Sequence, residues 1–334
     1  MPVMARNGSK TSLKKMNDND RLGSELNRRY YPAKVLVLGE YSILLGSDAY
    51  AIPLRSHRGE WVFPVIETGQ NDELQLSHQE ISRFFQFLSD RARADHFSSI
   101  LDLSRMEREL SLGISFKSNI PQQSGLGSSG ALVAAIYDRY RNPLAGTAVE
   151  EIRKTLSELE SHYHSKSSGI DPLVSLVNKP VWITGGDPRV MNDPEDGWLE
   201  GSALYLIHSG AQGLTKRGVT GFWNRMSADP TFTARMETTY IPLVNKMVNH
   251  LTNRPSQSEQ SDWAALAALQ TEMLGHLFPP AMKKLSEAGL KNGLFALKIC
   301  GSGGGGFFLA FTAKPEEFTE YAEFQGISLI RINH

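Results

Sequence analysis

Residues 121–130 read PQQSGLGSSG, and the apolar segment ALVAAIYDRY follows them without a break. Glycine permits backbone conformations that other residues rarely adopt, and a segment that is apolar on all sides is typical of a buried helix. The sequence therefore predicts a tight loop that leads directly into a helix N-terminus. Two interpretations fit this loop. Either its backbone N–H groups and the helix dipole bind a phosphate, or it is a turn followed by a serine-capped helix.

Two stretches match the dinucleotide-binding pattern G-x-G-x-x-G, but their surroundings exclude that fold. The matches are Gly125, Gly127 and Gly130, and then Gly301, Gly303 and Gly306. A dinucleotide-binding unit needs a helix after the glycines and then a second strand that ends in an acidic residue about 20 residues later. Two helical patterns follow the first match, and the strand pattern FFLAF follows the second. The standard phosphate-loop pattern G-x-x-x-x-G-K-[ST] is also absent from the sequence.

Hydrophobic periodicity predicts both strands and helices in the first half of the chain. VLVL at 35–38 is a short apolar run, and residues 111–117 alternate between apolar and other residues, so both segments are typical of strands. Apolar residues at 149–163 recur every three or four positions, which indicates one face of a helix. The segment GGDPRVMNDPEDG at 185–197 has the composition of a long loop, and we expect a domain boundary near it.

The second half mixes the same two kinds of element. VWITGG and ALYLIHSG predict strands on either side of that loop, and helical patterns lie at 241–251, 263–276 and 280–289. The chain then reads as strand FALKIC, loop GSGGGG, strand FFLAFT, helix PEEFTEYAEF and strand ISLIRI. These elements favour an α+β fold. Residues 1–27 are polar with few large apolar side chains and predict a disordered tail.

Composition limits the classes of function. The 334 residues carry 35 basic and 36 acidic side chains, and a formal net charge of −1 argues against a general nucleic-acid-binding protein. No segment approaches the ~18 consecutive apolar residues that a membrane-spanning helix needs, and no early apolar run indicates a secretory signal. The single Cys300 excludes an intrachain disulfide, which fits a reducing compartment. We expect a cytoplasmic protein without a nucleic-acid or membrane partner.

Three motifs occur along the chain in the order YPAKVLVLGEYSILLG, PQQSGLGSSGALVAA and KICGSGGGGFFLAF. Together they resemble the three motifs of the GHMP kinase superfamily, which is named for galactokinase, homoserine kinase, mevalonate kinase and phosphomevalonate kinase. The resemblance covers roughly residues 31–311. It implies an α+β fold of two domains: a ribosomal protein S5 domain 2-like N-terminal domain at 28–195, and a ferredoxin-like C-terminal domain at 196–334.

A fourth segment, ELESHYHSKSSGIDPLVS, resembles the mevalonate kinase pattern E-x-x-x-H-G-x-x-S-G-x-D. The matching residues are Glu160, His164, Ser168, Gly169 and Asp171. Ser165 replaces the usual glycine, and Ser167 replaces the usual proline. Lys34 in the first motif also resembles the mevalonate kinase form, because the galactokinase form carries arginine there.

The resemblance implies a role for each part of the site. Asp171 would accept the proton of the substrate hydroxyl, and Lys34 would sit against it and offset negative charge. Ser129 and Glu160 would hold Mg²⁺, a hard ion that prefers oxygen ligands. The expected contacts to ATP are Ser124, Gly125, Leu126, Gly127, Ser128, Ser129, Gly130, Gly303 and Gly304. The expected contacts to the substrate are Glu40, His164, Ser168 and Lys216.

Several of these residues also have a purely structural interpretation. Lys34 and Asp171 could be an ordinary ion pair, and Glu160 could be a solvated residue beside the apolar face of its helix. His164 could be a histidine with a structural role. Cys300 is expected to be a small buried apolar side chain.

The activity that the resemblance implies is ATP-dependent transfer of the γ-phosphate to an alcohol, with mevalonate as the first choice and 5-phosphomevalonate as its product. GEY in the first motif and SSG in the second resemble phosphomevalonate kinase instead. A sugar kinase or another GHMP-type small-molecule kinase is a further alternative, and so is a catalytically silent sensor with the same fold. The sequence also leaves open whether the protein forms a homodimer.

Overall fold

The computed structural model describes residues 29–63, 72–90, 93–143, 146–163, 167–194, 199, 201–211, 213, 215–253 and 260–332. The tail predicted at residues 1–27 lies outside the described residues.

Within the described residues, the strands are β1 (Tyr31–Leu38), β2 (Ala49–Val62), β3 (Ser115–Ser118), β4 (Val181–Thr184), β5 (Asp187–Val190), β6 (Ala203–His208), β7 (Ala296–Ile299), β8 (Phe307–Thr312) and β9 (Leu329–Arg331). The helices are α1 (Asp72–Ser89), α2 (Ala94–Ile100), α3 (Leu103–Ser111), α4 (Ser128–Tyr140), α5 (Val149–Glu160), α6 (Ile170–Val177), α7 (Thr215–Ala228), α8 (Pro230–Arg235), α9 (Ile241–Asn253), α10 (Gln260–Met273), α11 (Pro280–Asn292) and α12 (Pro315–Phe324). None of the helices in these ranges is long and apolar enough to cross a membrane.

β2 is the central strand of the first sheet. It pairs with β1 along most of its length, with β4 at its start and with β3 at its end, while β5 pairs with β4. All of these pairings are antiparallel. A Cβ on Gly59 of β2 would lie 2.2 Å from the ring of Phe116 in β3, so only glycine lets this ring cover the strand.

Helices α4 and α6 pack against each other and against β1, and α5 packs on both helices. Every residue of α4 from Gly130 to Tyr137 is buried, which explains why its sequence is apolar on all sides. α6 is also largely buried and carries Pro172 in its first turn, where a helix needs no N–H donor. This packing places the N-terminus of α6 beside the loop that precedes α4.

The second sheet has the strand order β7-β8-β6-β9, and its pairings are again antiparallel. Along the chain its elements run as strand, helices, strand, strand, helix, strand, which is the ferredoxin-like order. The ring of Trp263 in α10 stacks on Phe311 of β8 at 4.7 Å between centroids, and Phe318 of α12 packs on Tyr205 of β6. The predicted α+β fold is confirmed.

The two sheets share one continuous cluster of buried apolar side chains. α9 follows β6 in the chain, yet it packs on β1 and β2 of the first sheet. The proposed boundary between residues 195 and 196 falls between β5 and β6, so it separates the two sheets along the chain; it stays a prediction.

Two sequence predictions differ from the structure. The strand predicted at 111–117 begins only at Ser115, because α3 continues to Ser111 and Leu112 forms its C-terminal cap. The loop predicted at 185–197 contains β5, which forms a hairpin with β4. Asp and Pro are unfavourable in strands, so the composition of β5 concealed it.

Candidate active site

β1 carries Lys34 into the interior, where the side chain is only 5% exposed. Its Nζ lies 2.8 Å from Oδ1 of Asp171, whose side chain is 33% exposed. The backbone N–H of Lys34 donates to the carbonyl oxygen of Leu126 at 2.9 Å. The strand that positions the ammonium is therefore also hydrogen-bonded to the glycine-rich loop.

The ion pair decides the charge of Lys34. Burial alone would lower the pKa of this ammonium, but the charge of Asp171 and its hydrogen bond oppose that effect, and the pKa is raised overall. Lys34 is therefore positively charged at neutral pH.

Asp171 is the second residue of α6, and the turn before it requires glycine. Gly169 has a φ of 72°, and a Cβ at this position would lie 2.3 Å from the carbonyl oxygen of Arg153. A carboxylate in the first turn is also stabilised by the positive end of the helix dipole.

The first glycine loop lies directly against Asp171. Gly127, with a φ of 73°, precedes α4, and a Cβ on it would lie 3.2 Å from Oδ2 of Asp171. A Cβ on Gly130 would lie 2.9 Å from the Cβ of Asp171 and from the backbone nitrogen of Pro172. The structure thus brings together the loop, Lys34 and Asp171.

The two glycine loops pack backbone against backbone. The N–H of Phe307 donates to the carbonyl oxygen of Ser124 at 3.0 Å, and a Cβ on Gly306 would lie 2.4 Å from that same oxygen. A Cβ on Gly125 would lie 2.9 Å from the carbonyl oxygen of Cys300. The second loop therefore packs directly against the backbone of the first loop.

Gly303 and Gly304 lie against a different segment. A Cβ on Gly303 would lie 3.0 Å from the Cβ of Leu277, and the N–H of Gly304 donates to the carbonyl oxygen of Leu277 at 2.7 Å. Gly304 is expected from the sequence to contact ATP, and its amide N–H is hydrogen-bonded within the protein.

Glu160, the last residue of α5, is buried, so the interpretation of it as a solvated residue is wrong. Its Oε1 accepts a hydrogen bond from Oγ of Ser129 at 3.4 Å. Burial and the nearby charge of Asp171 raise the pKa of Glu160 to about 7. In the described part of the chain, no group of three or more His, Cys, Asp and Glu side chains could hold a metal ion. A metal here would therefore depend on Glu160 together with hydroxyl, water or phosphate oxygens.

Comparison with known proteins identifies the family. The family sequence model of the GHMP kinases N terminal domain matches residues 95–179. The family model of the GHMP kinases C terminal domain matches residues 256–324. The mevalonate kinase of Pyrococcus abyssi is 27% identical over 299 residues, which cover 84% of this chain and 86% of that protein. The chain belongs to the GHMP kinase superfamily.

Solved structures of GHMP kinases share this fold. The L. major mevalonate kinase in complex with R-mevalonate has a TM-score of 0.63 at 15% identity, with 92% of this chain and 96% of that chain covered. The Streptococcus pneumoniae phosphomevalonate kinase in complex with phosphomevalonate and AMPPNP has a TM-score of 0.56 at 15% identity, with 91% and 99% covered. The chain thus shares the fold of these solved kinases.

The structure describes only some of the residues that are expected to contact the substrate of this GHMP kinase. Ser168 precedes α6, where its Oγ accepts a hydrogen bond from the N–H of Ile170 at 3.3 Å and its carbonyl oxygen accepts one from Arg153 at 2.6 Å. Lys216 lies in the first turn of α7, but its side chain is outside the described residues. His164 also lies outside them.

Glu40 is buried, and its expected contact with the substrate stays a prediction. Its side chain is 1% exposed and accepts a hydrogen bond from Nζ of Lys298 at 2.5 Å, and Lys298 is equally buried. Burial raises the pKa of Glu40, and the charge of Lys298 opposes the rise. This ion pair joins the segment that follows β1 to β7.

Two residues of this junction were missed by the sequence analysis. Lys298 stands in the apolar strand segment FALKIC, and a lysine in such a segment could have signalled a buried ion pair. Tyr41 has a φ of 62°, and its hydroxyl donates to the carbonyl oxygen of Ser302 at 2.5 Å. Its ring lies 5.0 Å from that of Phe222 in α7, between centroids, and no sequence pattern could have indicated this contact.

Cys300 directly follows β7 and is buried, as the sequence predicted. Burial raises the pKa of its thiol to about 11, and the charge of Lys298 partly opposes the rise. The thiol is therefore protonated at neutral pH and lies between the second glycine loop and the first sheet.

Proposed function

We propose that this protein transfers the γ-phosphate of ATP to the primary hydroxyl of mevalonate, with 5-phosphomevalonate and ADP as products. The observation that carries the proposal is the pair of Lys34 and Asp171, 2.8 Å apart and set against Gly127 and Gly130 at the start of α4. Phosphoryl transfer depends on positioning and on neutralising charge. An ammonium, a carboxylate and a helix N-terminus at one point are suited to it.

Asp171 takes the proton of the acceptor in this mechanism. Lys34 holds one of its carboxylate oxygens, and about a third of the side chain remains exposed for the acceptor to approach. The hydroxyl oxygen forms a bond to the γ-phosphorus while the bond from this phosphorus to the bridging oxygen of ADP breaks. The hydroxyl proton passes to the carboxylate of Asp171.

Lys34 and the first glycine loop offset the charge of the phosphates. The raised pKa of Lys34 keeps its ammonium charged beside the reacting groups. Gly125 and Gly127 both have positive φ values and carry no Cβ, so their backbone can approach a phosphate closely. The N–H groups in the first turn of α4 and its dipole favour an anion at that end.

Glu160 and Ser129 are the residues that would hold Mg²⁺. Their oxygen atoms lie 3.4 Å apart, and both are hard donors of the kind that this ion prefers. The raised pKa of Glu160 reflects a buried negative charge that the protein alone leaves poorly compensated, which fits a cation at this position. When bound, the ion neutralises charge on the phosphates.

The choice of mevalonate as acceptor rests on the relatives and on the fourth motif. The P. abyssi relative, which covers 84% of this chain, is a mevalonate kinase, and the E-x-x-x-H…S-G-x-D element resembles the form of that enzyme.

Phosphomevalonate is the second candidate acceptor, because Tyr41 gives the first motif the GEY form. The SSG form of the second motif has a structural explanation instead. A Cβ on Gly130 would lie 2.9 Å from the Cβ of Asp171, so α4 needs glycine here whichever acceptor binds.

An ATP-consumption assay tests the proposal with mevalonate, phosphomevalonate, homoserine and galactose as separate acceptors, and each product is identified by mass. We expect ATP-dependent formation of a monophosphate from mevalonate, and the Asp171→Asn protein, purified in the same way, controls for contaminating kinases. Turnover on phosphomevalonate or a sugar alone would overturn the choice of acceptor. ATP binding without consumption on any acceptor would favour the silent sensor.

We also propose that the enzyme acts in the cytoplasm, where a lone buried thiol such as Cys300 stays reduced. Sedimentation of the purified protein distinguishes the monomer from the homodimer that the sequence leaves open.

A further inference from the structure

Ser167 occupies the position where the mevalonate kinase pattern usually has proline. Its Oγ donates a hydrogen bond to Oε2 of Glu160 and accepts one from the N–H of Gly169 at 2.9 Å. One hydroxyl thus contacts both the end of α5 and the turn that starts α6. Proline has no group that could make either hydrogen bond.

These contacts fix the orientation of the Glu160 carboxylate. Because Oε2 is engaged by Ser167, Oε1 is the oxygen that faces Ser129 at 3.4 Å. Without the hydroxyl, the carboxylate could rotate about its last torsion, since such a torsion has broad minima. The hydrogen bond therefore fixes the plane of the carboxylate, so that its second oxygen faces Ser129.

The same hydroxyl acts on the helix that carries Asp171. Gly169 is the N-terminal cap of α6, and Asp171 follows two residues later. Ser167 thus connects the carboxylate of Glu160 to the turn that positions Asp171.

The loop itself is held by other contacts. Oγ of Ser157 donates to the carbonyl oxygen of Ser167 at 2.7 Å, and Arg153 donates to the carbonyl oxygen of Ser168 at 2.6 Å. Loss of the Ser167 hydroxyl should therefore leave the loop folded and change mainly the orientation of the two acidic side chains.

We propose that Ser167 is a positioning residue that orients Glu160 toward the metal of the nucleotide complex and couples it to the helix of Asp171. The inference rests on the proposed function, because it takes Glu160 as a metal ligand. Hydrogen-bond partners of metal ligands typically contribute 10- to 100-fold to metal affinity or activity.

The test compares Ser167→Ala and Ser167→Thr with the wild-type full chain. Mn²⁺ replaces Mg²⁺ as the probe, and its binding in the presence of AMPPNP is followed by electron paramagnetic resonance, which needs no turnover. We expect Ser167→Ala to weaken Mn²⁺ binding about tenfold and to raise the KM for the metal–ATP complex more than the KM for the acceptor. Ser167→Thr keeps a hydroxyl and should restore most of the affinity.

Ser161→Ala is the matched control. Ser161 lies directly after α5, and its hydroxyl donates to the backbone carbonyl of Glu158 instead of to a carboxylate. Circular dichroism and melting temperature verify that each variant is folded.

Mn²⁺ binding by Ser167→Ala equal to that of the wild type would overturn the inference, and so would an equal loss in the Ser161→Ala control. A wild-type protein that binds no Mn²⁺ with AMPPNP would also overturn it. If the wild type binds Mn²⁺ and Ser167→Ala weakens this binding, but mevalonate is not phosphorylated, the inference stands and only the proposed acceptor fails.

Discussion

The carboxylate of Asp171 is constrained from two sides at the scale of a single residue. Lys34 holds Oδ1, and Oδ2 lies close to the position that a Cβ on Gly127 would occupy. An amide in its place would keep the shape of the side chain, but it could neither accept a proton readily nor balance the ammonium. Asparagine at this position therefore removes the charge of the side chain and keeps its shape.

We predict that Asp171→Asn lowers kcat about 10³-fold or more, because the group that takes the hydroxyl proton is lost. Affinity for ATP should change little, since the glycine loop that faces the phosphates is intact. Steady-state kinetics and calorimetric titration with AMPPNP measure the two effects. Near-normal turnover would mean that another group takes the proton.

Glu160 links protonation to stability. Its pKa in the folded protein is about 7, against 4.5 for an ordinary glutamate, so the folded state binds more protons than the unfolded state between these values. The stability from this protonation is fully present below about pH 4.5 and is lost as the pH rises through about 7.

We predict that Glu160→Gln, which cannot ionise, melts several degrees higher than the wild type at pH 8 when no ligand is bound. The difference should shrink as the pH falls toward 4.5, because Glu160 is then neutral in the folded protein. Melting curves from pH 5 to 8 measure the difference, and parallel curves over that range would contradict the prediction. Mg²⁺ with AMPPNP at pH 8 should stabilise the wild type more than the variant.

The sequence predicted which of the motif residues lie together better than it predicted their surroundings. Motif spacing was sufficient to associate Lys34, Asp171 and the glycine loop. The burial of Glu160 and the pairing of Glu40 with Lys298 could not be predicted, because they depend on packing between distant segments; Glu40 and Lys298 are 258 positions apart.

At the scale of elements, the contact between α4 and α6 sets the distance from the glycine loop to Asp171. Gly130 lies at this contact, and its missing side chain is what lets the two helix N-termini meet. A side chain here would change the geometry of the site by pressing on Asp171 and Pro172 of α6.

We predict that Gly130→Ala destabilises the protein by about 1–3 kcal/mol, because its Cβ would collide with backbone atoms of α6. Turnover should also fall, since α4 and Asp171 are forced apart. Gly221→Ala in α7 is the control, because no atom lies within 4 Å of its Cβ position and alanine favours a helix. Urea denaturation and kcat distinguish the two variants, and equal behaviour would contradict this account.

The sequence predicted best the elements in which apolar residues recur at a regular spacing. The apolar positions of α5 and α9 recur at helical spacing, and both helices form close to their predicted ranges. β2 was not predicted, because its sequence AYAIPLRSHRGEWV contains Pro53 and Gly59 and changes from a continuous apolar run to alternation. Pairing with three neighbouring strands stabilises β2, and local propensity carries no information about such partners.

At the scale of the whole molecule, the end of β1 binds the second half of the chain through two consecutive residues. Glu40 pairs with Lys298, and Tyr41 donates to Ser302. The hydrogen bond from Phe307 to Ser124 lies in the same region. Contacts between the halves and the geometry of the site therefore depend on the same short segments.

We predict that Lys298→Met destabilises the protein by about 3–5 kcal/mol, because it leaves Glu40 as an uncompensated buried charge. The double variant with Glu40→Gln should recover most of this loss. Chemical denaturation of the wild type, both single variants and the double variant gives the coupling energy. Strictly additive effects would show that the pair does not contribute as a unit.

Cys300 gives this molecule a built-in reporter of separation between its halves. The thiol is buried at the start of the loop that packs on Gly125, and its high pKa keeps it in the unreactive protonated form. Because the sequence contains no other cysteine, alkylation of the native protein can label only this atom. The rate of labelling then measures how often the second sheet moves away from the first.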